Sequence, residues 1–130
     1  CDKLPTTFAK RATHYYSEMK RVRAGIGAWR SGDIVTFGKL MFESGRSSIE
    51  NYEAGSKQLI KLHEIMEQTD GIYGGRFSGA GFNGCSIALI DPTKRDSIAE
   101  QVTRQYLTAF PNLTEKFSVH VCGTSNGVEL

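Results

Sequence analysis

Cysteine is scarce in this chain and falls in no useful pattern: Cys1, Cys85 and Cys122 are widely spaced, and there is no C-x-x-C pair. Structural zinc calls for clustered thiolates, and a disulfide framework for an even set at short spacings, so neither organises the fold. Such thiols fit a reducing, cytoplasmic setting. The three histidines, His14, His63 and His120, share no ligand spacing, so no metal site is expected. Charge of one sign is missing too. Sixteen basic and 14 acidic side chains leave a net +2 with no Lys/Arg block. A nucleic-acid binder concentrates basic charge on one face, which disfavours that class of partner. No apolar run approaches the roughly 18 residues of a membrane span, and nothing reads as a signal peptide, so no membrane partner is expected.

What is present is ordinary globular composition, 39% hydrophobic and 23% charged, over a length that suits one domain. The chain opens on Cys1 rather than Met and enters a helical pattern at once, which suggests a piece of something longer. Phe8, Ala12, Tyr15, Met19, Val22, Ile26 and Trp29 recur in alternating steps of four and three, one stripe along a long helix. Thr6 or Thr7 can cap its start and Ser31-Gly32 can end it. The Tyr15, Met19 and Trp29 stripe is expected to be core or domain interface.

Asp33 then caps a second helix bearing Ile34, Phe37, Leu40 and Met41. Gly45-Arg46-Ser47-Ser48 should interrupt it, leaving Ile49 and Tyr52 on a further turn. A third helix from about Ser56 places Leu59, Leu62, His63 and Met66 on one face, with His63 expected as a hydrogen-bonded core histidine.

The character changes at Asp70-Gly71. Residues 71–84 contain six glycines, with Ile72, Tyr73, Arg76 and Phe77 suggesting a strand that enters a loop. Cys85–Ile90 reads as a buried strand, Cys85 included. Asp91-Pro92-Thr93 reads as a helix entry capped by Thr93. Ile98, Val102, Tyr106 and Phe110 stripe a fourth helix that Pro111 stops. Phe117, Val119 and Val121 alternate with Lys116, Ser118 and His120, the period of a half-buried strand. Three helices followed by β-loop-β-α-β predict an α+β domain, ferredoxin-like in its second half.

Gly79-Ala80-Gly81-Phe82-Asn83-Gly84 matches G-x-G-x-x-G as a string, but dinucleotide folds need those glycines to open a helix, and these run into a strand. A P-loop needs Lys then Ser/Thr where Cys85 and Ser86 stand. The glycine loop of a protein kinase needs a lysine on the following strand, and Ile87-Ala88-Leu89-Ile90 has none. A strand–glycine loop–strand survives, with little side chain at its tip. Its glycines permit φ > 0 and a close approach of backbone N–H groups to another surface.

Tyr73-Gly74-Gly75-Arg76-Phe77-Ser78-Gly79-Ala80-Gly81-Phe82-Asn83-Gly84-Cys85 closely resembles the third signature motif of GHMP kinases in its galactokinase form. Arg21-Val22 through Ala28-Trp29-Arg30-Ser31-Gly32-Asp33, and Phe37-Gly38-Lys39-Leu40-Met41, resemble the helical pair before it. Ser44–Glu53 followed by Leu59 resembles the stretch that reads Ser-His-x-Ser-Leu…Tyr in galactokinases. The resemblance runs from about residue 10 to the end.

It implies that residues 1–130 form one domain, the C-terminal one of a two-domain ATP-dependent sugar 1-kinase, without the N-terminal nucleotide-binding domain. ATP, Mg²⁺ and a sugar would meet in the cleft between domains. The loop Ser78, Gly79, Ala80, Gly81, Phe82, Asn83 and Gly84 would line that cleft near the phosphates. Arg76 can meet a phosphate, and Ser47, Ser48 and Asn51 can face the cleft. The general base and the phosphate loop belong to the other domain, so no catalytic residue is expected in this chain, and the chain alone should be inactive.

Ser78-Gly79-Ala80-Gly81 stands where galactokinases more usually have Thr-Gly-Gly-Gly, and Gly45 where they have His. With Ala28-Trp29-Arg30, these choices resemble L-arabinokinases or uronic-acid kinases. The alternative is a free-standing ferredoxin-like ligand-binding or regulatory module.

Overall fold

The fold is built from two glycine-punctuated halves. The computed structural model describes residues 5–124. Helix α1 spans Thr6–Arg30 and α2 spans Ile34–Glu50. Between them Gly32 takes φ +74°, and the Asp33 carboxylate accepts the Thr36 N–H at 3.0 Å. Helix α3 is Lys57–Gln68, with the Ser56 hydroxyl accepting the Leu59 N–H at 3.3 Å. Strands β1 (Ile72–Phe77) and β2 (Ser86–Ile90) form an antiparallel hairpin, and α4 spans Arg95–Ala109. The domain is α+β, helices packed on a small sheet.

The core lies where α3 and α4 cover the hairpin, built from Leu59, Leu62, Ile65, Phe77, Ile98, Val102 and Tyr106. Phe117 stacks on Tyr106 with ring centroids 4.3 Å apart. On the other side α2 crosses β1 at Gly38 and Gly74. A Cβ on Gly38 would run into the Tyr73 carbonyl, and one on Gly74 into the Gly38 backbone. Two glycines let helix and strand touch main chain to main chain.

Several local expectations are corrected. Helix α2 runs unbroken through Gly45-Arg46-Ser47-Ser48. Its small residues are buried on the packing face, and the Ser48 hydroxyl satisfies itself by donating to the Ser44 carbonyl at 3.0 Å. Neither Thr6 nor Thr7 caps α1: Pro5 precedes the first turn and no side chain bonds to it. Asp91, not Thr93, caps the entry to the Pro92–Lys94 turn, its carboxylate accepting the Thr93 N–H at 2.9 Å. Phe117–Val121 forms no strand, pairing with no neighbour among the described residues. Cys85 is exposed at the loop's end. The α1 stripe is not core: Phe8, Tyr15, Met19, Val22, Ile26 and Trp29 face solvent, and only Gly25 and Ala28 are buried.

His63 is in the core as expected, nearly inaccessible between the edges of Phe42 and Phe77, but it is not hydrogen-bonded. Its Nε2 lies 3.5 Å from a Glu67 carboxylate oxygen. Gly45 makes room for the ring, since a Cβ there would overlap its Cε1.

Candidate functional site

The loop joining β1 to β2 is closed at its base by the Ser78 N–H donating to the Cys85 carbonyl at 2.9 Å. Gly79, Gly81 and Gly84 adopt φ of +87°, +82° and +111°, a region side chains resist. The Ser56 N–H donates to the Gly81 carbonyl at 2.7 Å, and Gly81 is the buried member of the loop, seated against the Phe77 ring. Ser78, Gly79, Ala80, Phe82, Asn83 and Gly84 are exposed, Phe82 by 59%.

The amides decide what the loop can hold. Among the described residues, no N–H from Gly79 to Gly84 donates to an acceptor within the chain. Unspent backbone donors on a glycine loop form a concave seat for an anion. The tie to Ser56 also brings the N-terminal end of α3 alongside, and the helix dipole there favours negative charge. Free amides of this kind can accept an anion. Among the described residues there is no cluster of three His, Cys, Asp or Glu side chains.

Arg76 is placed elsewhere. Its Nη1 donates to the Ser44 hydroxyl at 2.7 Å and lies 3.3 Å from a Glu18 carboxylate oxygen. Ser44 in turn donates to that Glu18 oxygen at 2.6 Å, while Arg21 pairs with the second oxygen at 2.8 Å. Burial works to raise the Glu18 pKa, but the Ser44 hydroxyl, Arg21 and Arg76 together hold it below the usual value. This half-buried knot ties β1 to α1 and α2 one residue before Phe77.

Ser47, Ser48 and Asn51 are not gathered at the loop. The Ser47 hydroxyl is 2.9 Å from His14 Nδ1 and accepts from Asn51 Nδ2 at 3.2 Å. Arg11 donates to the Asn51 carbonyl at 2.6 Å and pairs with Glu53 at 2.8 Å. Their partners lie on α1 or within α2, so the segment fastens two helices. The residue that does reach the loop is Ser56, legible in the sequence only as a helix start. Glu18 and Arg21 give no sequence signal as part of a knot, because Arg76, their partner, lies more than 50 residues away.

The structure thus defines an α+β domain of helices packed on a hairpin whose glycine loop displays free amides. Comparison with known proteins places it further: residues 23–108 match the family model described as GHMP kinases C terminal. The chain belongs to that family. It is 47% identical over 115 residues to a galacturonokinase of Arabidopsis thaliana, covering 88% of this chain and 27% of that protein. It is 33% identical over 125 residues to a galactokinase of Roseiflexus sp. (strain RS-1), covering 96% and 31%. The solved structure of Lactococcus lactis galactokinase complexed with galactose superposes with a TM-score of 0.78 at 31% identity, over 82% of this chain and 28% of that one. The chain thus spans under a third of the length of these relatives.

Proposed function

We propose that this chain is the C-terminal part of an ATP-dependent sugar 1-kinase, and that its glycine loop lines the cleft in which the γ-phosphoryl group of ATP passes to the anomeric hydroxyl of a sugar. The single observation that supports this best is the row of unspent N–H donors from Gly79 to Gly84 in a chain of the GHMP kinase family. In phosphoryl transfer a protein contributes positioning and charge neutralisation, and preorganised amides supply both without reorganising. The general base, the rest of the nucleotide site and the ligands of Mg²⁺ lie in the remainder of a longer, cytoplasmic polypeptide, so the 130-residue chain alone turns over no sugar. Arg76 acts by holding β1, not by touching a phosphate.

A uronic acid of the galactose series is the favoured sugar. The galacturonokinase shares 47% identity with this chain against 33% for the Roseiflexus galactokinase. The departures at Ser78, Ala80 and Gly45 agree. The test is a panel of galacturonate, galactose and L-arabinose, each with ATP, on the longer polypeptide. Fastest turnover with galacturonate supports the assignment, and preference for galactose overturns the choice of sugar. Turnover by the 130-residue chain alone refutes the division of labour.

A further inference from the structure

The Ser56 N–H that holds the Gly81 carbonyl ends the linker between α2 and α3, residues 51–56. That linker carries a strained backbone. Glu53 takes φ +56°, and among the described residues it is the one other than glycine with positive φ. A residue with a Cβ enters that region at a cost, and such strain persists only where its surroundings overdetermine it.

The surroundings do so from three sides. From α1, Arg11 donates to the Asn51 carbonyl at 2.6 Å and pairs with the Glu53 carboxylate at 2.8 Å. Its guanidinium also lies over the Tyr52 ring, 5.1 Å from the centroid, so one side chain grips three successive residues. Lys10 sets a second cation on Glu53 at 3.1 Å. From α2, the Ser48 carbonyl accepts the N–H of buried Ala54 at 3.0 Å. From the core, the Phe77 ring leaves no room for a Cβ on Gly55, which takes φ +109°.

We propose that Arg11 is a positioning residue for the glycine loop: by clamping residues 51–53 in their strained turn, it sets the place of the Ser56 N–H and so aims the amides around Gly81 at phosphate. This rests on the reading of the loop as part of a kinase cleft. Arg11 acts through Ser56 and touches no reactant. Tying α1 to α2 is a task other residues already share, since His14 meets Ser47 and Ser44 donates to Glu18. Exposed ion pairs such as those of Glu53 do little for overall stability. Three contacts on one turn fix a backbone path instead, and Glu53 stands only three residues before Ser56.

The test uses the longer polypeptide with Arg11→Met, with Glu53→Gly, and with Arg46→Met as a control. The control breaks a 2.7 Å ion pair between α2 and α3 away from the linker. Two quantities are read: hydrogen exchange of the Ser56 amide, and steady-state kinetics over ATP concentration. In Arg11→Met the Ser56 amide should exchange at least about tenfold faster, and kcat/KM for ATP should fall at least about fivefold. Glu53→Gly removes the carboxylate but relieves the backbone, so its Tm should move by less than about 4 °C while kcat/KM still falls. A merely structural role would not divide stability from activity in that way. Arg46→Met should leave both readouts within about twofold. Unchanged Ser56 exchange in Arg11→Met overturns the proposal, as does faster exchange at unchanged kcat/KM. An equal loss of kcat/KM in Arg46→Met also overturns it, because general loosening then explains the effect. Turnover by the unaltered polypeptide with unchanged Ser56 exchange in Arg11→Met removes this inference alone. No turnover by the unaltered polypeptide removes the kinase reading and this inference with it.

Discussion

The backbone N–H of Ser56 donates a 2.7 Å hydrogen bond to the carbonyl of Gly81, so the tip of the glycine loop is fastened to the first turn of α3. The Phe77 ring beneath Gly81 and Gly55 fixes the same point from below. The loop is therefore held at its buried middle and open at its flanks. A loop anchored this way keeps its amides aimed without losing entropy each time a ligand arrives.

Gly38→Ala should destabilise the chain by about 3 kcal/mol or more, because the added methyl meets the Tyr73 main chain and neither element can yield. Gly75→Ala, also buried, should stay within about 1 kcal/mol, since its methyl meets the flexible end of Met66 at 3.0 Å. Urea denaturation of the two variants separates them. Equal losses would mean that the helix–strand crossing is looser than its geometry.

Arg76→Met should cost about 1–2 kcal/mol by removing a charged donor from Ser44 and Glu18 at a half-exposed site. In the longer polypeptide its KM for ATP should change less than about threefold, because the guanidinium is spent on Glu18 and Ser44 (a phosphate contact would be worth about 10-fold or more). Steady-state kinetics over ATP concentration decides, and a large rise in KM at unchanged stability would restore Arg76 as a phosphate ligand.

Burial pushes the His63 pKa below its ordinary value, outweighing Glu67 and Glu64, which pull it up, with Arg46 adding to the depression. Above about pH 6.5 the ring is neutral in folded and unfolded chains alike and contributes no slope. As pH falls below that, the unfolded chain takes a proton that the folded one refuses, and stability declines until the folded pKa is passed. Carboxylates with depressed pKa values, such as Glu18, take effect only at lower pH. Denaturation midpoints between about pH 7.5 and 5 should fall for the natural chain and stay flatter for His63→Leu. Parallel profiles would place the proton elsewhere.

Much of this fold is legible in the sequence, because periodicity survives folding: the four helices and the hairpin lie where their patterns predict them, although the α1 stripe faces solvent instead of the core. The misreadings share a cause. Gly45, Ser47 and Ser48 look like a helix break when only propensity is weighed, but close packing against His63 makes small residues useful inside a helix. Phe117–Val121 has the period of a strand and pairs with nothing among the described residues, and pairing is not a local property. The excess of glycine marks the loop as a candidate, and its rivals fall to the strand that follows where a helix is needed, to Cys85-Ser86 where a P-loop needs Lys and Ser/Thr, and to the lysine-free Ile87–Ile90. The Arg76–Glu18–Ser44 knot is not legible, since it joins residues up to 58 positions apart.

The most direct measurement is sugar-dependent ADP release by the longer polypeptide with its natural loop and with Gly79→Ala. A Cβ at Gly79 meets nothing within 4 Å, so the substitution costs only the strain of φ +87°, about 1–2 kcal/mol, while adding a methyl beside the loop's exposed amides. The expected result is turnover by the natural protein and a loss of at least about tenfold in kcat/KM in the variant, with Tm only a few degrees lower. No sugar-stimulated release by the natural protein, or full activity in Gly79→Ala, would contradict the assignment of this loop to a sugar-kinase cleft.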